Sequence, residues 1–276
     1  MKPDQIAAIF DATDAEFAEL SPVLWDPIGA ATVKAAEVRQ GDRVLDVCCG
    51  AGAAAIPAAV TTGPTGAVHA IDLAGSLLAQ GRRRAATHGL RNVRFVNADA
   101  TTWTTDTPYD VALCVHGVYF LPDMDGSVTR LTGLLTPGGR FAVTTWARGA
   151  LEEYAKVLRA AVEKARGAPV PAPSGSASFV RISTEQGLAG WLTERGLDDV
   201  RVTQIPMSVS LTPELAWLLV TGSGFRGMLT GLDAATVSAV RTDLLTGLRA
   251  AGVDEVDTSI LIGVGVTPVS GAGGGG

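Results

Sequence analysis

Val44-Leu45-Asp46-Val47-Cys48-Cys49-Gly50-Ala51-Gly52 decides the fold, because an apolar strand carrying an acid runs straight into a glycine turn and then a helix. Gly50 and Gly52 let the backbone turn tightly and come close to a ligand, while Asp46 places a carboxylate near the strand end. That combination is a place to bind a nucleotide-like cofactor. Two further acids stand at strand ends. Asp72 closes Val68-His69-Ala70-Ile71-Asp72, about twenty residues past Gly52, where a carboxylate can accept hydrogen bonds from both hydroxyls of a ribose. Asp99 closes Val93-Arg94-Phe95-Val96-Asn97-Ala98-Asp99, where it can accept one from an exocyclic amine.

The glycine turn alone is ambiguous. Gly50-Ala51-Gly52-Ala53-Ala54-Ala55 also fits the dinucleotide pattern, so a nicotinamide dehydrogenase has to be weighed. Asp46 argues against it, since a diphosphate lying on the turn would be repelled by a carboxylate just ahead of it. The third strand acid has no role in that fold either. Asp46, Gly50, Gly52, Asp72 and Asp99, with Leu134-Leu135-Thr136-Pro137-Gly138-Gly139-Arg140-Phe141 downstream, resemble the class I S-adenosylmethionine-dependent methyltransferases. The Asp-Val-Cys-Cys-Gly-Ala-Gly form is most like the branch holding the ubiquinone and menaquinone biosynthesis C-methyltransferases and small-molecule methyltransferases. Its first glycine is often replaced, as Cys48 replaces it here. Ile9-Phe10-Asp11-Ala12-Thr13-Asp14-Ala15-Glu16-Phe17 looks like the lead of that branch, with Phe17 in a tyrosine position. The resemblance is strong over residues 40–148 and weaker to about 266.

The resemblance implies S-adenosylmethionine as cofactor and assigns roles to residues. Asp46 would orient the methionine amino group or the glycine loop, and simple turn formation is its bland alternative. Cys48, Gly50 and Gly52 would line the loop. Asp72, with Leu73, would meet the ribose, against capping of a helix starting near Ala74. Asp99 would meet the adenine amino group and the Ala100 amide a ring nitrogen, against capping of the next turn. Val115 and His116 fall in Cys114-Val115-His116-Gly117-Val118-Tyr119-Phe120, which resembles the stretch beside the methyl donor. A neutral imidazole there could take a proton from a substrate hydroxyl, and packing against a ligand is the alternative.

Strands are expected near 43–48, 67–72, 93–97, 109–115, 139–146, 199–206 and 258–266, with helices between. This alternation predicts a doubly wound, Rossmann-like α/β fold: a mostly parallel seven-stranded sheet covered on both faces, with ligands at the strands' carboxyl ends. Helices expected at 3–20 and 29–38, separated by prolines, would make residues 1–38 a helical lid over a methyltransferase domain at 39–270. Within that domain, a helical insertion at about 207–257 precedes the last strand on the substrate side. Residues 168–176 are Pro-rich and irregular, and 271–276 should be a flexible glycine tail.

The chain has 276 residues, 47% of them hydrophobic, which suffices for one sizeable core. A net charge of -6 gives no footprint for nucleic acid, so the expected partner is a small-molecule substrate, with homodimerisation left open. Arg82-Arg83-Arg84 reads as a solvated helix face. Cys48, Cys49 and Cys114 have no zinc spacing and should be reduced and buried, and no metal is expected. Asp123-Met124-Asp125 looks like a helix start. With neither a signal segment nor a run of roughly 18 apolar residues, a cytoplasmic protein without membrane insertion is expected. His69 and His88 read as structural, while Trp25, Trp103, Tyr119, Trp146, Trp217 and Phe225 could line a pocket for a planar substrate or simply pack. The expected function is methyl transfer to oxygen or carbon of a secondary metabolite or quinone-like acceptor. The alternative is a methyltransferase-fold protein that binds S-adenosylmethionine without transfer, as a cyclase or regulatory subunit.

Overall fold

Three helices lead the chain, α1 (Pro3–Asp11), α2 (Asp14–Leu20) and α3 (Trp25–Ala35), in a computed structural model that describes residues 3–170 and 176–269. β1 (Arg43–Val47), α4 (Ala55–Thr62), β2 (Ala67–Asp72), α5 (Gly75–Thr87), β3 (Val93–Asn97) and β4 (Tyr109–Val115) follow. Next come α6 (Met124–Thr132), β5 (Leu135–Trp146), α7 (Glu152–Arg166), α8 (Ser176–Arg181), α9 (Glu185–Glu194) and β6 (Asp198–Ile205). Beyond these are β7 (Ser208–Ser210), α10 (Pro213–Thr221), α11 (Ala234–Ala251), β8 (Glu255–Asp257) and β9 (Ile260–Val266). The sheet has seven strands in the order β3-β2-β1-β4-β5-β9-β6, with only β9 antiparallel to its neighbours.

Apolar alternation along β1 sorts the two cores. Val44 joins the cluster built with α3, α4 and α7, while Leu45 and Val47 join the cluster under α6 and α9. The strand is buried on both faces, as a central parallel strand must be. Strand order reverses between β1 and β4, so their carboxyl ends open a crevice at the switch point.

Several expectations need correction. Residues 3–20 form two helices, because Thr13 is fully buried and its hydroxyl turns back to the Phe10 carbonyl at 2.6 Å. α3 begins at Trp25 with Pro27 inside its first turn, where no backbone donor is required. β3 and β4 are joined by turns without a helix. The insertion is helical as expected, but its ends pair as a ribbon, β7 with β8, whose three-residue strands carry no readable period. Of the Pro-rich stretch, 171–175 lie outside the described residues, as does the tail at 271–276.

α3 lies against the backbone of the glycine loop, and Gly29 makes that approach possible. A Cβ at Gly29 would stand 2.2 Å from the Ala53 carbonyl oxygen and 2.8 Å from the Ala54 nitrogen. Gly29→Ala should therefore cost about 2 kcal/mol or more of stability, measured by chemical denaturation. An unchanged midpoint would show that α3 can move off the loop freely.

Candidate active site

The loop after β1 is held in left-handed backbone at Cys48 (φ 56°), Gly50 (φ 52°) and Gly52 (φ 85°). Gly52 cannot carry a side chain, since a Cβ would meet the Phe95 ring at 2.8 Å. Asp72 holds this loop: one carboxylate oxygen accepts from the Gly50 amide at 2.8 Å and the other from the Ala74 amide at 2.8 Å. The bond to Ala74 closes the turn ahead of α5 without capping the helix, whose N-cap Ala74 has no side-chain cap bond, and the bond to Gly50 tethers the loop. Asn97 secures the same strand end through the carbonyls of Asp72 (3.3 Å) and Leu73 (2.9 Å). Asp99 folds its own turn, one oxygen accepting from the amide and hydroxyl of Thr101 at 2.8 and 2.7 Å, next to buried Ala100. Val115 is half-buried at the end of β4.

Asp46 is 1% exposed, and neither of its oxygens has a hydrogen-bond partner. Burial, reinforced by the nearby Asp72 charge, pushes its carboxyl up to about 8, and the Ala55 amide opposes this without reaching bonding geometry. An orphaned acid beside a glycine loop is suited to a cationic ligand group. Because the folded-state value is raised, Asp46 opposes folding increasingly as pH climbs from the ordinary carboxylate range to about 8. Asp46→Asn should therefore stabilise the ligand-free protein by on the order of a few kcal/mol at pH 9 and by much less at pH 5. Melting curves at the two pH values that show no widening gap would contradict the orphaned state. Burial also raises Asp72, although the amides of Ala74, Gly50 and Leu73 oppose the shift.

His116 adopts a left-handed φ of 51° at the end of β4, fixed by its amide donating to the Thr144 carbonyl at 2.9 Å. Its ring stacks on Trp146, centroids 4.0 Å apart, and meets the edge of Trp25 at 6.0 Å. Nδ1 is hydrogen-bonded to the Tyr119 hydroxyl at 3.2 Å, whereas Nε2 is buried without a partner. Burial lowers its pKa to about 3, so the imidazole is neutral at ordinary pH, and burial likewise raises the Tyr119 phenol. Phe17 stacks on Trp25 at 5.5 Å and reaches the loop, where a Cβ at Gly50 would meet its ring at 3.4 Å. A continuous aromatic path therefore joins the glycine loop to His116.

The thiols of Cys48, Cys49 and Cys114 are free, and Cys48 is half-buried rather than buried. Its neighbour Cys114 and its desolvation hold the Cys48 thiol well above the usual range. Gly117 leaves it room, since a Cβ there would stand 2.4 Å from that of Cys48.

Other candidates lie apart. Trp103 donates to Tyr109 at 3.1 Å and His69 pairs with the same hydroxyl at 2.7 Å, a structural trio. His88 bonds to the Arg84 carbonyl. Asp123 caps α6, and Asp125 is engaged by Arg181, Arg195 and the Trp191 indole. Among the described residues no cluster of His, Cys, Asp or Glu is grouped to hold a metal. A hollow of about 400 Å³ at the amino ends of the strands is lined by charges that pair with one another, Arg140 with Asp42 and Arg201 with Glu37.

The reading of Arg82–Arg84 as a solvated face holds for Arg82 and Arg83, which are exposed, and fails for Arg84. Arg82 donates to the Phe95 carbonyl at 2.8 Å; Arg84 pairs with Asp26 of α3 at 2.8 Å and donates to Ala51 of the loop at 3.1 Å. Gly29, Arg84 and Asn97 are thus site-supporting residues that sequence reasoning missed, and their only signal was proximity to Pro27, a charge run and a strand end.

A methyltransferase-domain family model matches residues 44–139, which span β1 through the start of β5 and hold the whole three-acid edge. Aklanonic acid methyltransferase DauC of Streptomyces sp. (strain C5) is 35% identical over 142 residues, covering 51% of this chain and 64% of that protein. The chain therefore spans somewhat under two thirds of that relative. Protein Rv1405c of Mycobacterium tuberculosis (strain ATCC 25618 / H37Rv) is 31% identical over 192 residues, 67% of this chain and 68% of its own. The crystal structure of YcgJ from Bacillus subtilis superposes with a TM-score of 0.57 at 18% identity, over 88% of this chain and 98% of that one, which shows a shared fold. Glycine loop, strand-end acids, sheet order and these likenesses agree: the chain belongs to the class I S-adenosylmethionine-dependent methyltransferases.

Proposed function

We propose that this protein transfers the methyl group of S-adenosylmethionine to an oxygen, or to an activated carbon, of a small planar acceptor, and that His116 receives the acceptor's proton. The observation that carries this reading is the His116 Nε2 atom, buried without a partner among aromatic rings at the carboxyl end of β4. When bound, the cofactor supplies an electrophilic methyl group on a cationic sulfur. The residues present fit it. Asp46 would take the ammonium group that its orphaned carboxyl calls for. Asp72 retains lone pairs for ribose hydroxyls beyond the two amides it already holds, with Leu73 beside it. Asp99 and Ala100 would take the adenine, and Cys48, Gly50, Gly52 and Val115 would line the cleft.

Catalysis then rests on positioning and on one proton. The aromatic walls exclude water and tolerate the dispersal of positive charge as the new bond forms. His116 is neutral and can accept a hydrogen bond, and its basicity rises as the acceptor oxygen turns negative beside it. α1 to α3 act as a lid over a catalytic domain at 39–270: Asp11 binds the Ser76 amide at 2.8 Å, Gln80 binds Asp14, and Phe17 covers the loop. The insertion at 207–257 contributes to the substrate side. The free thiols of Cys48, Cys49 and Cys114 favour a cytoplasmic setting, and no helix among the described residues is long and apolar enough to cross a membrane.

Incubation with methyl-labelled S-adenosylmethionine and a panel of phenols, naphthols and quinols tests the reading. Label should enter an acceptor with one S-adenosylhomocysteine formed per label, and acid cleavage of the product should release it if it sits on oxygen. Saturable cofactor binding with no transfer to any acceptor would favour the cyclase or regulatory alternative.

A further inference from the structure

We infer that Trp25 and His116 form a two-point subsite that reads neighbouring oxygens on one edge of a planar aromatic acceptor. In it, the Trp25 indole donates to one oxygen and His116 Nε2 engages the other. Acceptor here has the meaning given by the proposed methyl transfer, on which this inference rests.

Two buried nitrogens without partners stand on touching rings, Trp25 Nε1 and His116 Nε2. His116 is 8% exposed, and the ring centroids are 6.0 Å apart at 65°. Buried indole N–H groups nearly always find an acceptor, because leaving one unpaired forfeits its hydration for nothing in return. Two such atoms on neighbouring rings point to one ligand that satisfies both. Trp146 backs the two rings, at 6.2 Å from Trp25 and 4.0 Å from His116, so the surroundings are aromatic and suit a flat ring. Phe17 stacks on Trp25 within 12° of parallel and fixes the indole between the glycine loop and His116.

The chemistry of the two nitrogens differs. An indole N–H only donates, so its oxygen must accept, as a carbonyl, carboxylate or hydroxyl oxygen does. His116 uses Nδ1 on the Tyr119 hydroxyl. When Nδ1 carries the proton, Nε2 accepts from a hydroxyl, which is the arrangement a methyl-accepting oxygen needs. A single hydroxyl can serve both nitrogens only by straddling the two rings, whereas neighbouring oxygens give each nitrogen its own partner, so the subsite discriminates by the second oxygen.

The test compares 2,3-dihydroxynaphthalene with 2-naphthol by calorimetry, in protein saturated with S-adenosylhomocysteine so that no turnover occurs. The dihydroxy probe should bind at least about tenfold tighter, the difference one buried hydrogen bond makes. Trp25→Phe keeps the stacked ring and removes the donor. It should bring the two probes within about twofold of each other and leave S-adenosylhomocysteine affinity unchanged. The indole N–H resonance of Trp25 in the unsubstituted protein should shift with the dihydroxy probe and stay still with 2-naphthol, a readout that does not require the variant to fold. Equal binding of the probes, binding of neither, a preference that survives Trp25→Phe, or an unmoved resonance overturns the inference. Label transfer without discrimination would sink this subsite alone, whereas discrimination without label transfer would sink the methyl-transfer reading and reduce the subsite to a binding site for a planar ligand.

Discussion

His116→Gln should lower turnover by roughly a hundredfold or more while cofactor affinity stays near that of the unsubstituted protein, the size expected when a general base is lost. Glutamine fills similar space against Trp146 but cannot take up a proton. The pH profile sharpens the test. An exposed histidine would lose its base function below about pH 6.5, but burial lowers His116 to about 3. Turnover of the unsubstituted protein at saturating cofactor should therefore hold level down to about pH 4 and show no histidine limb near 6.5. The same shift has a cost for stability. The unfolded chain binds the proton more readily, so His116 opposes folding increasingly as pH falls from about 6.5 toward 3. A variant that retains full rate across the range would make His116 only a wall of the pocket, with catalysis resting on positioning.

Asp72→Ala should weaken cofactor binding by on the order of 2 kcal/mol or more, some thirtyfold, because hydrogen bonds to a charged acceptor are the stronger kind. Its carboxylate also holds the Gly50 and Ala74 amides, so the alanine variant should lose about 1 kcal/mol or more of stability besides. Asp72→Asn separates the two roles, since its amide oxygen can keep one backbone bond but carries no charge. Calorimetric titration with S-adenosylhomocysteine reads the affinity. Unchanged affinity in a folded Asp72→Ala protein would remove Asp72 from the ribose site and leave it a structural tether of the loop.

The strands from β1 to β4 were legible because each is a short, largely apolar run closed by an acid or a turn, and such runs have few places to go but a buried parallel sheet. β5, expected from 139, starts at Leu135 because that residue already pairs with Tyr109 ahead of the Pro-Gly-Gly turn. The site edge was legible for the same reason, since strand ends carry Asp46, Asp72 and His116. What escaped notice depends on residues far apart in the chain. Nothing local says that Trp25 meets Trp146, or that Arg84 turns inward to Asp26 while Arg83 stays out. Pro27 looked like a barrier to α3 and proved to be part of its first turn, where its missing donor is harmless. The β7–β8 ribbon is too short for alternation to register. The orphaned state of Asp46 is equally invisible in sequence, because it comes from no donor reaching bonding geometry at a buried carboxyl.

Equilibrium titration with S-adenosylhomocysteine and with NAD between pH 6 and 8 decides whether the three-acid edge is the methyl-donor site. A cationic amino group binding at Asp46 must displace the proton that burial keeps there up to about pH 8, so affinity should rise with pH across this window. The predicted result is one saturable S-adenosylhomocysteine site per chain, tighter at pH 8 than at pH 6, with no binding of NAD. Saturable binding of NAD with none of S-adenosylhomocysteine would contradict it.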